Sequence, residues 1–164
     1  MQFLSAKLMV YVRVLYLLII VYYLLMAPEE LGTIGIVVLL GQAMKVPLVF
    51  LTKENPLVGI LAFMFSMLAL ADLVPLLLEN LAYFETIIPI RTAIYFAVAA
   101  YCYLAELPLA NSLVFTYVFF EVWINFITYN NLRDEKYYRF KKFVEENPHA
   151  FDEAAGAQVL VDTD

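Results

Sequence analysis

Apolar residues recur along this chain in runs close to the roughly 20 residues a helix needs to cross a bilayer, with short polar breaks between them. The first run, 8–27, follows Lys7 as LMVYVRVLYLLIIVYYLLM and stops at Pro28-Glu29-Glu30. No clean small-residue cleavage site follows it, so it is expected to be kept as a span rather than removed as a signal segment. The second run, 57–78, reads LVGILAFMFSMLALADLVPLLL and follows the turn Lys53-Glu54-Asn55-Pro56. The third, 87–105, is entered through Pro89 after a short connection at 80–86, and the fourth covers 110–130. The pattern predicts an all-α integral membrane protein built on four transmembrane helices within a single domain, 1–143.

Residues 31–51 are apolar but of a different kind. Gly32, Gly35, Gly41, Gln42, Lys45 and Pro47 all fall inside this stretch. Unsatisfied polar groups are costly against lipid, so a plain lipid-facing helix would not carry Gln42-x-x-Lys45-x-Pro47. The segment is either a fifth span packed inside the bundle or a re-entrant or interfacial piece broken near Pro47. In either case GQAMKVP would line a cavity or a protein contact.

Beyond the fourth run the chain turns basic, with Arg133, Lys136, Arg139, Lys141 and Lys142 between acids and aromatics. This predicts a juxtamembrane helix over 131–143, lying on anionic headgroups or extending the last span outward. Five basic residues there place the C-terminus in the cytosol. Four spans put Lys7 on the same side, whereas five would put Lys7 and Lys53 on the wrong one. An acidic tail, 144–164, follows; His149 stands alone in it, and 151–160 shows a weak helical pattern.

Composition agrees with the class: 64% of the 164 residues are hydrophobic and 16% charged, with a mean hydropathy of +0.80. Soluble domains sit near 45–50% and about 25%. The net charge of −6 comes from loops and the tail and argues against nucleic acid as a partner. One cysteine and one histidine leave no set of ligands for a structural metal.

Candidate chemistry rests on charges inside the spans. Asp72, Arg91 and Glu121 would each cost about 2.5–3.5 kcal/mol at a helix centre, so they are expected to pair with one another or to face water. Arg91 should answer Asp72 or Glu121. Asp72 and Glu79 are seven residues apart and would share a helix face across Pro75. Asn111, Glu121, Asn125 and Thr128 fall on one stripe of the last span, beside Trp123, and that stripe should face the bundle or a partner. Arg13, near the start of its span, is expected to snorkel to the headgroups. Gln42, Lys45, Asp72, Glu79, Arg91, Glu121, Trp123 and Asn125 therefore make up the candidate polar network or partner face. Hydrolase, metalloprotease, desaturase and P-loop motifs are missing from the sequence, and no catalytic residue, cofactor or metal is expected.

EVWINFITYN followed by LRDEK, with DLVPLLLEN, YFETIIPIR and GQAMKVP upstream, resembles the fungal increased-loss-of-mitochondrial-DNA protein family. The similarity runs from about residue 11 to 142 and keeps the order of these words. It implies a small multi-pass protein of the endoplasmic reticulum membrane, linked to mitochondrial genome maintenance and to lipid or fatty-acid homeostasis. It carries no catalytic residues with it. Two readings follow. One is a non-enzymatic accessory or adaptor subunit that grips another membrane protein and contacts membrane lipids. The other is a small ion or lipid transporter or channel-like bundle using Asp72, Arg91 and Glu121.

Overall fold

The computed structural model describes residues 5–105 and 109–147, and the elements in them are all helices. They are α1 (Ala6–Met26), α2 (Pro28–Leu31), α3 (Gly35–Ala43), α4 (Pro56–Leu77), α5 (Leu81–Leu104) and α6 (Ser112–Glu146). Among the described residues, α1, α4, α5 and α6 are long and apolar enough to cross a membrane.

Asparagines start three of these four helices. Asn55 accepts from the Leu57 amide at 3.0 Å, Asn80 from Tyr83 at 3.2 Å and Asn111 from Val114 at 3.0 Å. Each satisfies an amide that a helix start leaves open. The Asn80 cap moves the start of α5 back to Leu81, so residues 80–86 are not the loop the sequence suggested. Pro89 lies inside the helix, and Phe84 and Ile88 bury themselves in the turns before it.

α1 lies at the centre, packed along α4 on one side and against α6 on the other, while α5 lies on α6. The first end of the bundle joins Ala6 and Val10 of α1, Leu76 of α4, Phe84 and Ile88 of α5, and Leu132 of α6. Halfway along, Val14 and Leu17 meet Ala69 of α4, with Phe65 and Tyr117 against them. At the far end Leu24 packs with Val58 and Ala62.

The stretch 31–51 does not form a fifth spanning helix. α3 has nine residues, a rise of about 13.5 Å against a hydrocarbon core of about 30 Å. The chain after it doubles back, so that Gly32 lies directly against Val49 and Phe50: a Cβ on Gly32 would sit 2.6 Å from the Val49 carbonyl oxygen. The hairpin is fastened to α6 by Ser112, whose amide donates to the Pro47 carbonyl at 3.0 Å and whose Oγ accepts from Val49 at 3.3 Å. Gly41 leaves room for Ser112, because a Cβ there would lie 2.9 Å from the serine Cβ. The start and the end of this hairpin are therefore at the same end of the bundle.

α6 is one uninterrupted helix of 35 residues, a length of about 52 Å. The basic segment is thus the continuation of the last span and not a separate surface helix. Lys136 and Arg139 reach Glu85 on α5 at 2.8 and 3.3 Å. Lys141 and Lys142 pair one turn on with Glu145 and Glu146, while Arg133 is exposed. His149 and 151–160 lie outside the described residues.

Candidate functional site

Each of the four long helices contributes one charge to the interior. Glu121 of α6 accepts two hydrogen bonds from Arg13 of α1, from Nε at 2.8 Å and Nη2 at 2.9 Å. Arg13 Nη1 donates onward to Asp72 of α4. Asp72 also holds Arg91 of α5 at two points, 2.9 and 3.0 Å. The result is a row of alternating sign, Glu121, Arg13, Asp72, Arg91, with no net charge. Arg13, Asp72 and Glu121 are 3%, 0% and 0% exposed; Arg91 is half-buried.

Neutral side chains complete the row. Tyr117 donates to Glu121 Oε1 at 2.9 Å and shares a 3.0 Å hydroxyl–hydroxyl hydrogen bond with Tyr95 of α5. Asn125, one turn beyond Glu121, donates to its Oε2 at 2.8 Å and to its carbonyl at 2.7 Å. Glu121 thus takes four side-chain donors and Asp72 three. A buried charge is tolerable when its lone pairs and protons are used up in this way, since each ion otherwise carries a desolvation cost of several kcal/mol.

The positions follow from helix geometry. Arg13 lies seven residues beyond the start of α1 and Glu121 nine beyond the start of α6, about 10 and 14 Å along their axes. At such depth a guanidinium bonded to two carboxylates does better than one stretched toward headgroups. Arg13 is therefore buried rather than snorkelling. One signal in the sequence pointed to it: Asp72, Arg91 and Glu121 alone leave one unmatched negative charge in the membrane.

Four other expected members lie elsewhere. Trp123 points outward, 53% exposed, with its ring against Phe119. Gln42 is exposed at the end of α3. Lys45 and Glu79 are helix stops. Lys45 follows α3 with a left-handed φ of 55°, and its amide and that of Val46 return to the carbonyls of Gln42 and Gly41 at 3.1 and 3.0 Å. Glu79 repeats this after α4, with φ 54°, and Glu79 and Asn80 return to Leu76 and Pro75 at 3.1 and 3.0 Å. Both are Schellman endings, which satisfy carbonyls a helix terminus leaves open. The left-handed turn takes Glu79 off the face of Asp72 and out to Lys7, 2.7 Å away. That ammonium, by hydrogen bond and by charge, holds the Glu79 carboxyl below its usual range.

The words that stood out in the sequence are thus joints of the fold. GQAMKVP holds the close approach of Gly41, the left-handed stop and a buried Val46. DLVPLLLEN holds a network carboxylate, a helix stop and the cap of α5. YFETIIPIR supplies the Glu85 anchor and Arg91. LRDEK supplies Leu132 and Glu135, which accepts from the Ala6 amide at 2.8 Å.

A cavity of about 350 Å³ lies on the hairpin side of the network, between α1, α4, α6 and the hairpin. Its walls are almost wholly apolar, and Tyr16 and Tyr117 form part of them, their rings stacked 6.3 Å apart. A second, open depression among Glu85, Arg133, Lys136 and Arg139 lies along the extension of α6. Among the described residues no cluster of histidine, cysteine and carboxylates could hold a metal ion.

Comparison with known proteins gives a family. The family model described as "Increased loss of mitochondrial DNA protein 1" matches residues 4–107. "Protein ILM1" of Saccharomyces cerevisiae is 34% identical over 143 residues, covering 86% of this chain and 70% of its own length. "Protein ilm1" of Schizosaccharomyces pombe is 29% identical over 123 residues, covering 73% of this chain and 76% of its own. No solved structure matches the chain.

Proposed function

The chain belongs to the increased-loss-of-mitochondrial-DNA family, and from that premise we propose that it is a non-enzymatic, multi-pass protein of the endoplasmic reticulum membrane that works as an accessory or adaptor subunit in lipid or fatty-acid homeostasis. Its effect on mitochondrial DNA, the property its relatives are named for, is then indirect. The organelle and the lipid link are extended from the family resemblance.

The observation that carries the adaptor reading is the closure of the charge row. An ion path needs charges that a passing ion can reach and release. Here Arg13, Asp72 and Glu121 are buried and bonded to one another, so the row acts as a lock between four helices. The outward side chains of α6 remain for a partner, with Trp123 and Phe126 about half exposed at the depth of the network. Large aromatics are the residues that most often anchor a contact. The five basic residues along 133–142 support a cytosolic C-terminus and contact with anionic lipids.

The test is tagged purification of the full chain from native membranes in mild detergent, followed by mass spectrometry. A membrane protein in fixed molar ratio, lost with Trp123→Ala but kept with Gly35→Ala, is the expected result. A chain that purifies without any protein in fixed ratio, and that conducts ions after reconstitution, would overturn the adaptor reading in favour of a channel.

A further inference from the structure

The apolar cavity beside the charge row holds one feature an inert packing gap would not. Thr116 lines it, is 7% exposed, and its Oγ1 has no hydrogen-bond partner among the described residues. Other threonines buried or half-buried in these helices return their hydroxyls to the preceding turn, Thr128 to Ile124 at 2.6 Å and Thr92 to Ile88 at 2.8 Å. A hydroxyl buried without a partner costs about 1–3 kcal/mol, and an apolar cavity does not hold water well enough to supply one.

Size and position narrow the occupant. A cavity of about 150 Å³ takes the six carbons of benzene; on that scale 350 Å³ takes about 14. That is one hydrocarbon chain, and too little for the two chains of a whole phospholipid. The cavity lies among the spanning helices, Ile20 and Leu24 of α1 facing Val114 of α6, with Leu31 and Leu51 of the hairpin. It is therefore at membrane depth, where acyl chains are the solvent. Thr116 lies four residues beyond the start of α6, about 6 Å along its axis, a level that suits the carbonyl at the head of a chain.

We infer that this cavity binds a single acyl chain, its ester or carboxyl oxygen accepting a hydrogen bond from Thr116 Oγ1 and its tail running deeper along the wall residues Ile20, Tyr16, Phe65 and Phe120. Tyr117 forms the wall toward the charge row, its hydroxyl already committed to Glu121. The site deepens the lipid part of the reading above and rests on it for its role. Its residues, however, are not those of the charge lock or of the Trp123 face. A free fatty acid and one leg of a glycerolipid present the same chemistry.

The test is photolabelling of the full chain in nanodiscs with two probes, a diazirine-bearing palmitic acid and a diazirine-bearing phosphatidylcholine, with the adducts mapped by mass spectrometry. Adducts are expected on the cavity walls of α1 and α6, and labelling there should fall with Val114→Trp, which fills the space. Thr116→Val should lower cavity labelling about five-fold, the equivalent of one ordinary hydrogen bond, while Thr116→Ser should keep it. The probe that labels the cavity identifies the source, free acid or glycerolipid. Labelling no stronger in the cavity than on the outward residues Leu57, Ile60 and Phe63 of α4 would overturn the site. So would cavity labelling that neither Val114→Trp nor Thr116→Val lowers. Two variants separate the two readings: a partner kept in Thr116→Val when labelling is lost leaves the adaptor intact, and cavity labelling kept in Trp123→Ala when the partner is lost leaves the cavity intact.

Discussion

Arg13 and Glu121 are 108 residues apart in the chain and meet in a two-point ion pair inside the bundle, Nε to Oε2 at 2.8 Å and Nη2 to Oε1 at 2.9 Å. The pair joins the first spanning helix to the last. Through Asp72 the same guanidinium reaches the helix between them in sequence, and Arg91 brings in the fourth. Loss of any one charge leaves its neighbours buried with a net charge, so the row is expected to behave as a unit.

Arg13→Ala should cost more stability than Arg91→Ala. Removing Arg13 strips Glu121 of its counter-charge and Asp72 of one of two, a loss of about 3–5 kcal/mol for a broken buried pair. Arg91 is half-buried, and Asp72 keeps Arg13 when it goes, so about 1–3 kcal/mol is expected. Thermal unfolding in detergent, with light scattering to detect aggregation, should rank the two in that order.

Removing the pair together should be milder than removing either half. Arg13→Met with Glu121→Leu leaves Asp72 and Arg91 as a balanced pair and fills the space with apolar groups, a change that is often near neutral for buried ion pairs. The double-mutant cycle should therefore show a coupling well above the about 0.5 kcal/mol scatter seen for independent sites. A sum equal to the two single losses would remove the lock from the account.

Gly32→Ala should loosen the hairpin while Gly35→Ala leaves it alone. A Cβ on Gly32 meets the backbone oxygen of Val49 at 2.6 Å and the Phe50 ring at 2.9 Å, whereas one on Gly35 meets nothing within 4 Å. Because the clash is with backbone, the segment 48–51 must move. Hydrogen exchange at the Val49 amide, which donates to Ser112 Oγ, should speed up in Gly32→Ala only.

Lys45→Gly should stabilise the hairpin. The left-handed conformation costs a side chain about 1–2 kcal/mol that glycine escapes, and Lys45 is exposed with a φ of 55°. Part of that gain is returned because glycine has more freedom to lose on folding. Lys45→Val, β-branched at the same φ, should destabilise, and chemical denaturation of the two variants side by side checks the sign.

The Lys7–Glu79 pair should leave a small acid-side trace in stability. With its folded pKa held below the unfolded one by Lys7, Glu79 stabilises the fold once pH is above the unfolded carboxylate value, near 4 for such groups. The contribution is lost as pH falls through the lower, folded value. Melting curves from pH 6 down to 3 should fall less steeply in Lys7→Ala than in the native chain. Both side chains are well exposed, so added salt should shrink the difference.

Much of this molecule could be read from the order of its residues. Four runs of spanning length, the asparagine and proline punctuation between them, and the cost of Asp72, Arg91 and Glu121 in lipid follow from local chemistry, which needs no neighbours. The face each helix turns inward does not. Along α1 nearly every residue is apolar, so nothing in the pattern marks Ala6, Val10, Arg13 and Leu17 as the buried stripe, and Arg13 looked like a residue near a helix end. Only the packing of α1 between α4 and α6 puts its guanidinium within reach of two carboxylates. Lys45 and Glu79 show the converse: their charge suggested a membrane site, but a left-handed backbone, decided by where each helix must stop and the chain turn back, takes both to the surface. The cavity around Thr116 is likewise a product of assembly, since its walls come from four separate parts of the chain and exist only where those parts fail to close on one another.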